Sequence, residues 1–206
     1  MDLQDKKATI FGMGRSAYGA ARLLLSQGAL PFVTDSGPLA NVAEWAARLE
    51  EIGVPYETDG HTDRAVDAEL AIVSPGVPAS IPPLDALRAN NVPVIAELEL
   101  AWRFCERPVL ALTGTNGKTT TTELLRAMVA ACGHTVALAG NNDRPFSEAV
   151  LETPQPEYFV LEVSSYQLET VDTFHPWIAA VLNLTPDHLK RHGTMEGYAA
   201  VKARIF

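Results

Sequence analysis

Two segments of this chain share one construction. A short apolar run leads into a glycine-rich loop, and a helix-like pattern follows. Residues 8–11 lead into Gly12-Met13-Gly14-Arg15-Ser16-Ala17, and residues 109–112 lead into Thr113-Gly114-Thr115-Asn116-Gly117-Lys118-Thr119-Thr120. A buried strand, a tight glycine turn and a helix form the first half of a βαβ unit. Right-handed crossovers between such units give a parallel sheet covered by helices.

The rest of the chain extends this pattern. Residues 16–27 read as a helix that stops at Gly28, and residues 32–34 as a strand ending at Asp35. In residues 42–52, Val42, Trp45, Ala46, Leu49 and Ile52 fall on one helical face. Residues 70–73 are a strand halted by Ser74-Pro75-Gly76, and Leu84 and Leu87 mark a short helix. Residues 1–93 therefore form a Rossmann-like βαβαβ unit. A second unit, residues 94–206, begins with a bridging helix over 97–105. Strands at 109–112, 136–138, 158–163 and 178–182 follow, with helices at 118–132 and 194–206. No repeat, low-complexity tract or flexible linker separates the units.

Composition narrows the possible partners. The 206 residues carry 16 basic and 25 acidic side chains, a formal charge of −9. That disfavours nucleic acid and anionic lipid, which attract cations. It leaves room for a small phosphate ligand held by local backbone donors. The longest apolar runs, such as residues 177–182, fall far short of the roughly 20 residues of a membrane helix. Residues 1–7 lack the apolar stretch of a signal peptide, so a cytoplasmic protein is expected. Cys105 and Cys132 lie in apolar helical patterns and read as buried free thiols.

The first loop fits G-x-G-x-x-A, with Asp35 at the end of the next strand. Its glycines admit a phosphate to the helix N-terminus, and Asp35 is placed to accept from ribose hydroxyls or a uracil N–H. A nucleotide-type ligand follows, NAD being one candidate. In the second loop, Gly117-Lys118-Thr119 is the core of a phosphate-binding P-loop, although Leu112 stands where the strict pattern has glycine. Backbone N–H groups wrap phosphates in such a loop. Lys118 reaches their oxygens and the Thr119 hydroxyl ligates Mg²⁺, which points to ATP or GTP. Glu162 ends an apolar strand, and Asp187-His188 follows the next one, so all three lie at the ligand edge of the sheet. His188 and His192 have zinc-helix spacing, but Leu189 stands where a zinc protease needs glutamate. Lys202 alone reads as a solvated helix lysine.

Four segments carry a family resemblance: TGTNGKTT (113–120), LEVSSYQLE (161–169), LNLTPDH (182–188) and AVKARIF (200–206). Together they resemble the Mur ligases of bacterial peptidoglycan synthesis, and the resemblance runs the whole length of the chain. Within that family the SSYQLE segment looks like that of the members that add D-glutamate. The implied fold is α/β, an N-terminal Rossmann-like parallel-sheet domain followed by part of a P-loop ATP-binding domain. The implied reaction joins D-glutamate to UDP-N-acetylmuramoyl-L-alanine through an acyl phosphate, with ATP and two Mg²⁺ ions, in a monomer.

The resemblance assigns residues as well. Gly114, Thr115, Asn116, Gly117, Lys118, Thr119 and Thr120 would bind ATP. Thr119, Glu162 and His188 would serve the metals, and Lys202 matches a lysine that becomes carbamylated and supports them. Arg15, Ser16, Asp35, Ser36, Ser74, Gly76, Asn141, Ser164 and His188 would contact the UDP substrate. The family's usual Gly-Asn-Ile-Gly reads Gly140-Asn141-Asn142-Asp143 here. Asp143 brings a carboxylate near an anionic substrate, which weakens binding. Gly37 stands where a basic residue is often found. Family members continue into a further domain that supplies most D-glutamate contacts, so residues 1–206 read as an incomplete ligase. The alternatives are a binding-only homologue and, from the first loop alone, an NAD-dependent oxidoreductase.

Overall fold

The computed structural model describes residues 1–141 and 144–206. The Asn142-Asp143 departure therefore lies outside the described residues. The first apolar run forms β1 (Lys7–Phe11), and the glycine loop turns the chain into α1 (Arg15–Ser26). Then come β2 (Leu30–Thr34), α2 (Leu39–Glu51), β3 (Tyr56–Glu57), a 3₁₀ turn at Asp63–Val66, β4 (Leu70–Val73), α3 (Pro82–Ala89) and β5 (Val94–Ala96). These strands form one parallel sheet in the order β3-β2-β1-β4-β5.

The chain next forms α4 (Glu97–Trp102), β6 (Val109–Thr113), α5 (Lys118–Ala131), β7 (Val136–Gly140), α6 (Phe146–Ala149) and β8 (Tyr158–Glu162). It ends with α7 (Ser165–Leu168), β9 (Ile178–Val181), α8 (Leu189–His192) and α9 (Met195–Ala203). The second sheet is also parallel, in the order β7-β8-β6-β9. The structure moves one boundary. A division between residues 93 and 94 falls ahead of β5, yet β5 pairs with β4, so the first sheet ends at Ala96. Three residues beside a proline carry too little pattern to reveal an edge strand.

One apolar core serves both sheets. Ile10, Leu23 and Leu24 of the first unit join Leu98, Leu100, Phe146, Phe159 and Leu161 of the second. Phe146 meets Phe159 edge to face at 5.4 Å. The short helices α4 and α6 are thus wedged against α1 between the sheets. By contrast, α5 leaves Leu124 and Met128 more than half exposed, because no element covers its outer face among the described residues. Cys132 caps that helix and is exposed, while Cys105 is partly buried. The reading of Cys132 as a buried thiol is corrected accordingly. No described helix is long and apolar enough to cross a membrane.

Two buried carboxylates in α4 behave oppositely. Glu99 accepts from the backbone N–H groups of Asp172, Thr173 and Phe174, from the Thr173 hydroxyl at 2.6 Å and from Arg103 Nε at 2.7 Å. Burial pushes its pKa up, but these donors outweigh burial and hold it below the ordinary carboxylate value. Among the described residues Glu97 accepts from Ser147 N, at 2.6 Å, while its Oε2 is buried without a hydrogen-bond partner. Burial dominates there and raises its pKa. Glu99 therefore ties the segment before β9 to α4 as an anion, whereas Glu97 favours the neutral acid.

Substitution separates the two. Glu99→Gln should destabilise the fold by about 2–4 kcal/mol, since it unpairs buried donors. Because the folded pKa of Glu99 is depressed, its contribution is full above the ordinary carboxylate range and is lost as pH falls below it. Glu97→Gln should be neutral or stabilising at pH 7, because the folded pKa of Glu97 is raised and its carboxylate form is the costly one. Urea unfolding of both variants at neutral and acid pH checks this.

Candidate functional site

In a parallel sheet every strand delivers its following loop to the same edge. Both glycine loops open at such edges. The first loop flanks a cleft of about 860 Å³ that is lined from both units, by Gly12–Ser16 and Ser74–Val77 on one side and by Gly140, Asn141, Pro145 and Gln167 on the other.

In the first loop Gly12 has φ +91°, and a Cβ there would lie 2.8 Å from Val77 Cγ2, so only glycine allows the β1 turn to approach the loop after β4. Gly14 then starts α1 with no side-chain cap. That twelve-residue helix begins at the cleft, where Gly14, Arg15 and Ser16 line it and the first-turn amides lack intrahelical acceptors. Asp35 accepts from Met13 N and from Gly37 N, each at 2.7 Å. Both of its carboxylate oxygens are thus engaged in bracing two loops. Ser36, Ser74 and Gly76 complete this wall.

The second loop converges on Glu162. This residue ends β8, the strand between β7 and β6, so its neighbours come from the loops after both. Its Oε2 accepts from Thr119 Oγ1 at 2.7 Å and its Oε1 from Asn141 Nδ2 at 2.9 Å. Asn141 N also donates to the Glu162 carbonyl at 2.7 Å. Gly140 permits this closeness, with φ +102° and a would-be Cβ only 2.2 Å from that carbonyl oxygen. Glu162 is 3% exposed and makes no ion pair with a described residue. Its two donors are neutral.

Around the loop, Gly117 caps α5 in the left-handed conformation, and Lys118 Nζ folds back to Thr115 O at 3.1 Å. Asn183, just beyond β9, clasps Asn116 through paired side-chain-to-backbone bonds of 2.9 Å. Thr115 Oγ1 bonds Thr185 and the Tyr198 hydroxyl. Gly114 and Thr120 complete the segment.

Lys202 is not solvated. It is 2% exposed and donates to Thr113 Oγ1 at 3.1 Å and Gly114 O at 2.9 Å, beneath the loop. Burial, followed by the nearby charge of Lys118, lowers its pKa to about 8, with Asp187 opposing. On α9 the helical pattern gave no sign of this, because the loop rather than another helix covers the side chain.

His188 adopts φ +51° and bonds Tyr166 Oη through Nδ1 at 3.0 Å. It makes no hydrogen bond or ion pair with Glu162 or Lys202. His192 turns instead to Ser165 Oγ at 2.9 Å and to Glu169. Among the described residues no group of three His, Cys, Asp or Glu side chains is placed to hold a metal. Ser164 forms a capping box with Gln167, which fixes α7 and spends its hydroxyl locally. Arg191 carries no motif or periodicity that marks it in the sequence. It pairs with Glu169 through two nitrogens and donates to Val77 O at 2.7 Å, joining α8 to the far wall of the cleft. Asn183 and His61, which also lines the cleft, were equally silent.

The oxygens of Thr119 and Glu162 form a hard donor pair that suits Mg²⁺, which keeps water and phosphate oxygens for most of its ligands.

Residues 112–206 match the Mur ligase middle domain, and residues 7–81 match the MurD N-terminal domain. The UDP-N-acetylmuramoylalanine--D-glutamate ligase of Koribacter versatilis is 42% identical over 207 residues, covering all of this chain and 46% of that protein. The enzyme of the same name from Salinibacter ruber is 44% identical over 211 residues, covering 45% of its length. The chain thus spans slightly less than half the length of these relatives. Among solved structures, a UDP-N-acetylmuramate:L-alanyl-gamma-D-glutamyl-meso-diaminopimelate ligase from Neisseria meningitides superposes with TM-score 0.63 at 17% identity, over 98% of this chain and 67% of that one. The UDP-N-acetylmuramate-alanine ligase of Thermotoga maritima gives 0.54 at 22%, over 97% and 46%. These two likenesses establish the fold, with its parallel α/β sheets, and the sequence matches establish the lineage: the chain belongs to the Mur ligase family.

Proposed function

We propose that this chain is the substrate- and nucleotide-binding part of a cytoplasmic, monomeric ligase that adds D-glutamate to UDP-N-acetylmuramoyl-L-alanine at the expense of ATP. The observation that carries the reading is the position of Glu162. One oxygen meets Asn141 on the cleft wall and the other meets Thr119 of the P-loop. A carboxylate substrate held in the cleft and a nucleotide held on the second loop would therefore meet at one point.

The chain's groups divide the work as follows. The amides of α1, with Arg15 and Ser16, hold the diphosphate of the UDP moiety, and Ser36, Ser74 and Gly76 shape its pocket. The second loop wraps the nucleotide, with Lys118 swinging from Thr115 O to the phosphates. Thr119 and Glu162 would hold Mg²⁺, which neutralises charge on the transferring phosphoryl group. Attack of the substrate carboxylate on the γ-phosphorus forms an acyl phosphate and releases ADP. The D-glutamate amine then attacks the acyl carbon, and phosphate leaves. His188 would serve a second ion, and Asn141 the substrate. Lys202, made easier to deprotonate by burial, is suited to take up CO₂ as a carbamate, losing one proton. In that form it would be an anion that supports the metals.

Two outcomes test this. Lys118→Ala should reduce Mg·ATP affinity by at least about tenfold while leaving affinity for UDP-N-acetylmuramoyl-L-alanine within about twofold, as read by calorimetry. Loss of both would contradict separate sites. In the longer protein, Lys202→Ala should reduce turnover by about 10²-fold or more, and small carboxylates should restore part of it. Absence of rescue would leave Lys202 a simple cation.

A further inference from the structure

His61 lines the cleft, and neither the family resemblance nor the functional reading gives it a part. Its ring packs on Phe11 at 5.4 Å between centroids, and its Nδ1 lies 2.7 Å from Thr34 Oγ1. Thr34 is fully buried and its hydroxyl also lies 2.7 Å from Glu57 Oε1. Glu57 accepts further bonds from Thr62 N and Thr62 Oγ1. Burial alone would raise the Glu57 pKa, but these hydrogen bonds outweigh it and keep the carboxylate ionised.

The chain of bonds fixes a tautomer. An ionised carboxylate only accepts, so the single hydroxyl proton of Thr34 goes to Glu57. Thr34 Oγ1 then accepts from His61, which puts the ring proton on Nδ1. In the neutral ring Nε2 is left as an acceptor, and it has no partner among the described residues. Val77, Pro78, Ile81, Pro82 and Pro83 also line the cleft, and Phe11, on which the His61 ring packs, clusters with Val77 and Ile81. The prolines have no amide N–H to offer an anion. Phosphate donors instead cluster at the start of α1. An apolar lining beside an acceptor of fixed tautomer suits a flat ring bearing an N–H.

We propose that His61 is a specificity-determining residue of the cleft, reading the imide N–H of a uracil ring through Nε2, with Glu57 and Thr34 holding its tautomer. This deepens the reading that the first unit takes the UDP end of the substrate, and rests on it. Cytosine presents an unprotonated ring nitrogen at the same position, so it would set acceptor against acceptor.

The test is a pair of NMR titrations of the chain with UDP and with CDP. The wild type should prefer UDP by about tenfold. His61→Phe keeps an aromatic body against Phe11 and should bring that preference to within about twofold, with CDP affinity unchanged. A purely structural role would weaken both nucleotides alike, so an unchanged ratio overturns the proposal. Thr34→Val should lower the ratio in the same direction with His61 intact, and it serves if His61→Phe fails to fold. Ring ¹⁵N shifts should place the His61 proton on Nδ1, and a proton on Nε2 would also overturn the proposal. A wild type that binds UDP with the predicted tautomer but no base preference contradicts this inference alone. A wild type that binds no UDP removes the functional reading and the inference together.

Discussion

Glu162 is a buried carboxylate satisfied by one hydroxyl and one amide, without an ion pair among the described residues. An anion removed from water needs either a positive partner or several strong donors, and two neutral hydrogen bonds are a modest provision. The surrounding geometry serves that residue. It ends the strand between β7 and β6, so the loops following both are drawn to it. Gly140 is required because its backbone lies against the Glu162 carbonyl. A divalent cation could take the place of the Thr119 proton, with the hydroxyl then offering its lone pair. A buried carboxylate with so few donors would favour positive charge beside it at the sheet edge.

That position is useful only if the two units keep their relative placement. The shared core of α1, α4 and α6 supplies the bulk of this, because the sheets bury common apolar residues rather than facing each other across water. Polar braces refine it. Glu99 gathers three consecutive backbone amides onto α4, and Arg191 reaches from α8 to Val77 O on the opposite wall. Asn183 holds the second loop from the next strand. Each brace joins segments far apart in sequence, so none is visible as a local pattern.

This explains what could be read from the chain beforehand. The long-period features were legible: the strand–loop–helix repeats and the parallel sheets follow from apolar periodicity and glycine placement. β3 and β5 were not, because two and three residues at sheet edges carry no periodicity. Of the candidate site, Thr119, Glu162 and Asn141 meet directly, whereas Asp35 spends both oxygens on backbone amides and Ser164 spends its hydroxyl on a cap. The burial of Lys202 was not legible, since nothing on its own helix foretells a position beneath a loop. His61 follows a turn and lies far in sequence from Phe11 and the α1 loop, and only the fold brings it to the cleft.

The measurement closest to the central claim is a thermal-shift panel on this chain with UDP-N-acetylmuramoyl-L-alanine, Mg·ATP and NADH added separately. A ligand at a hundred times its Kd adds about 2.7 kcal/mol. For a chain of this size that raises Tm by roughly 5–11 °C. Two sites meeting at Glu162 predict a shift with the UDP-sugar, an independent shift with Mg·ATP, and none with NADH. A shift with NADH alone would contradict the account.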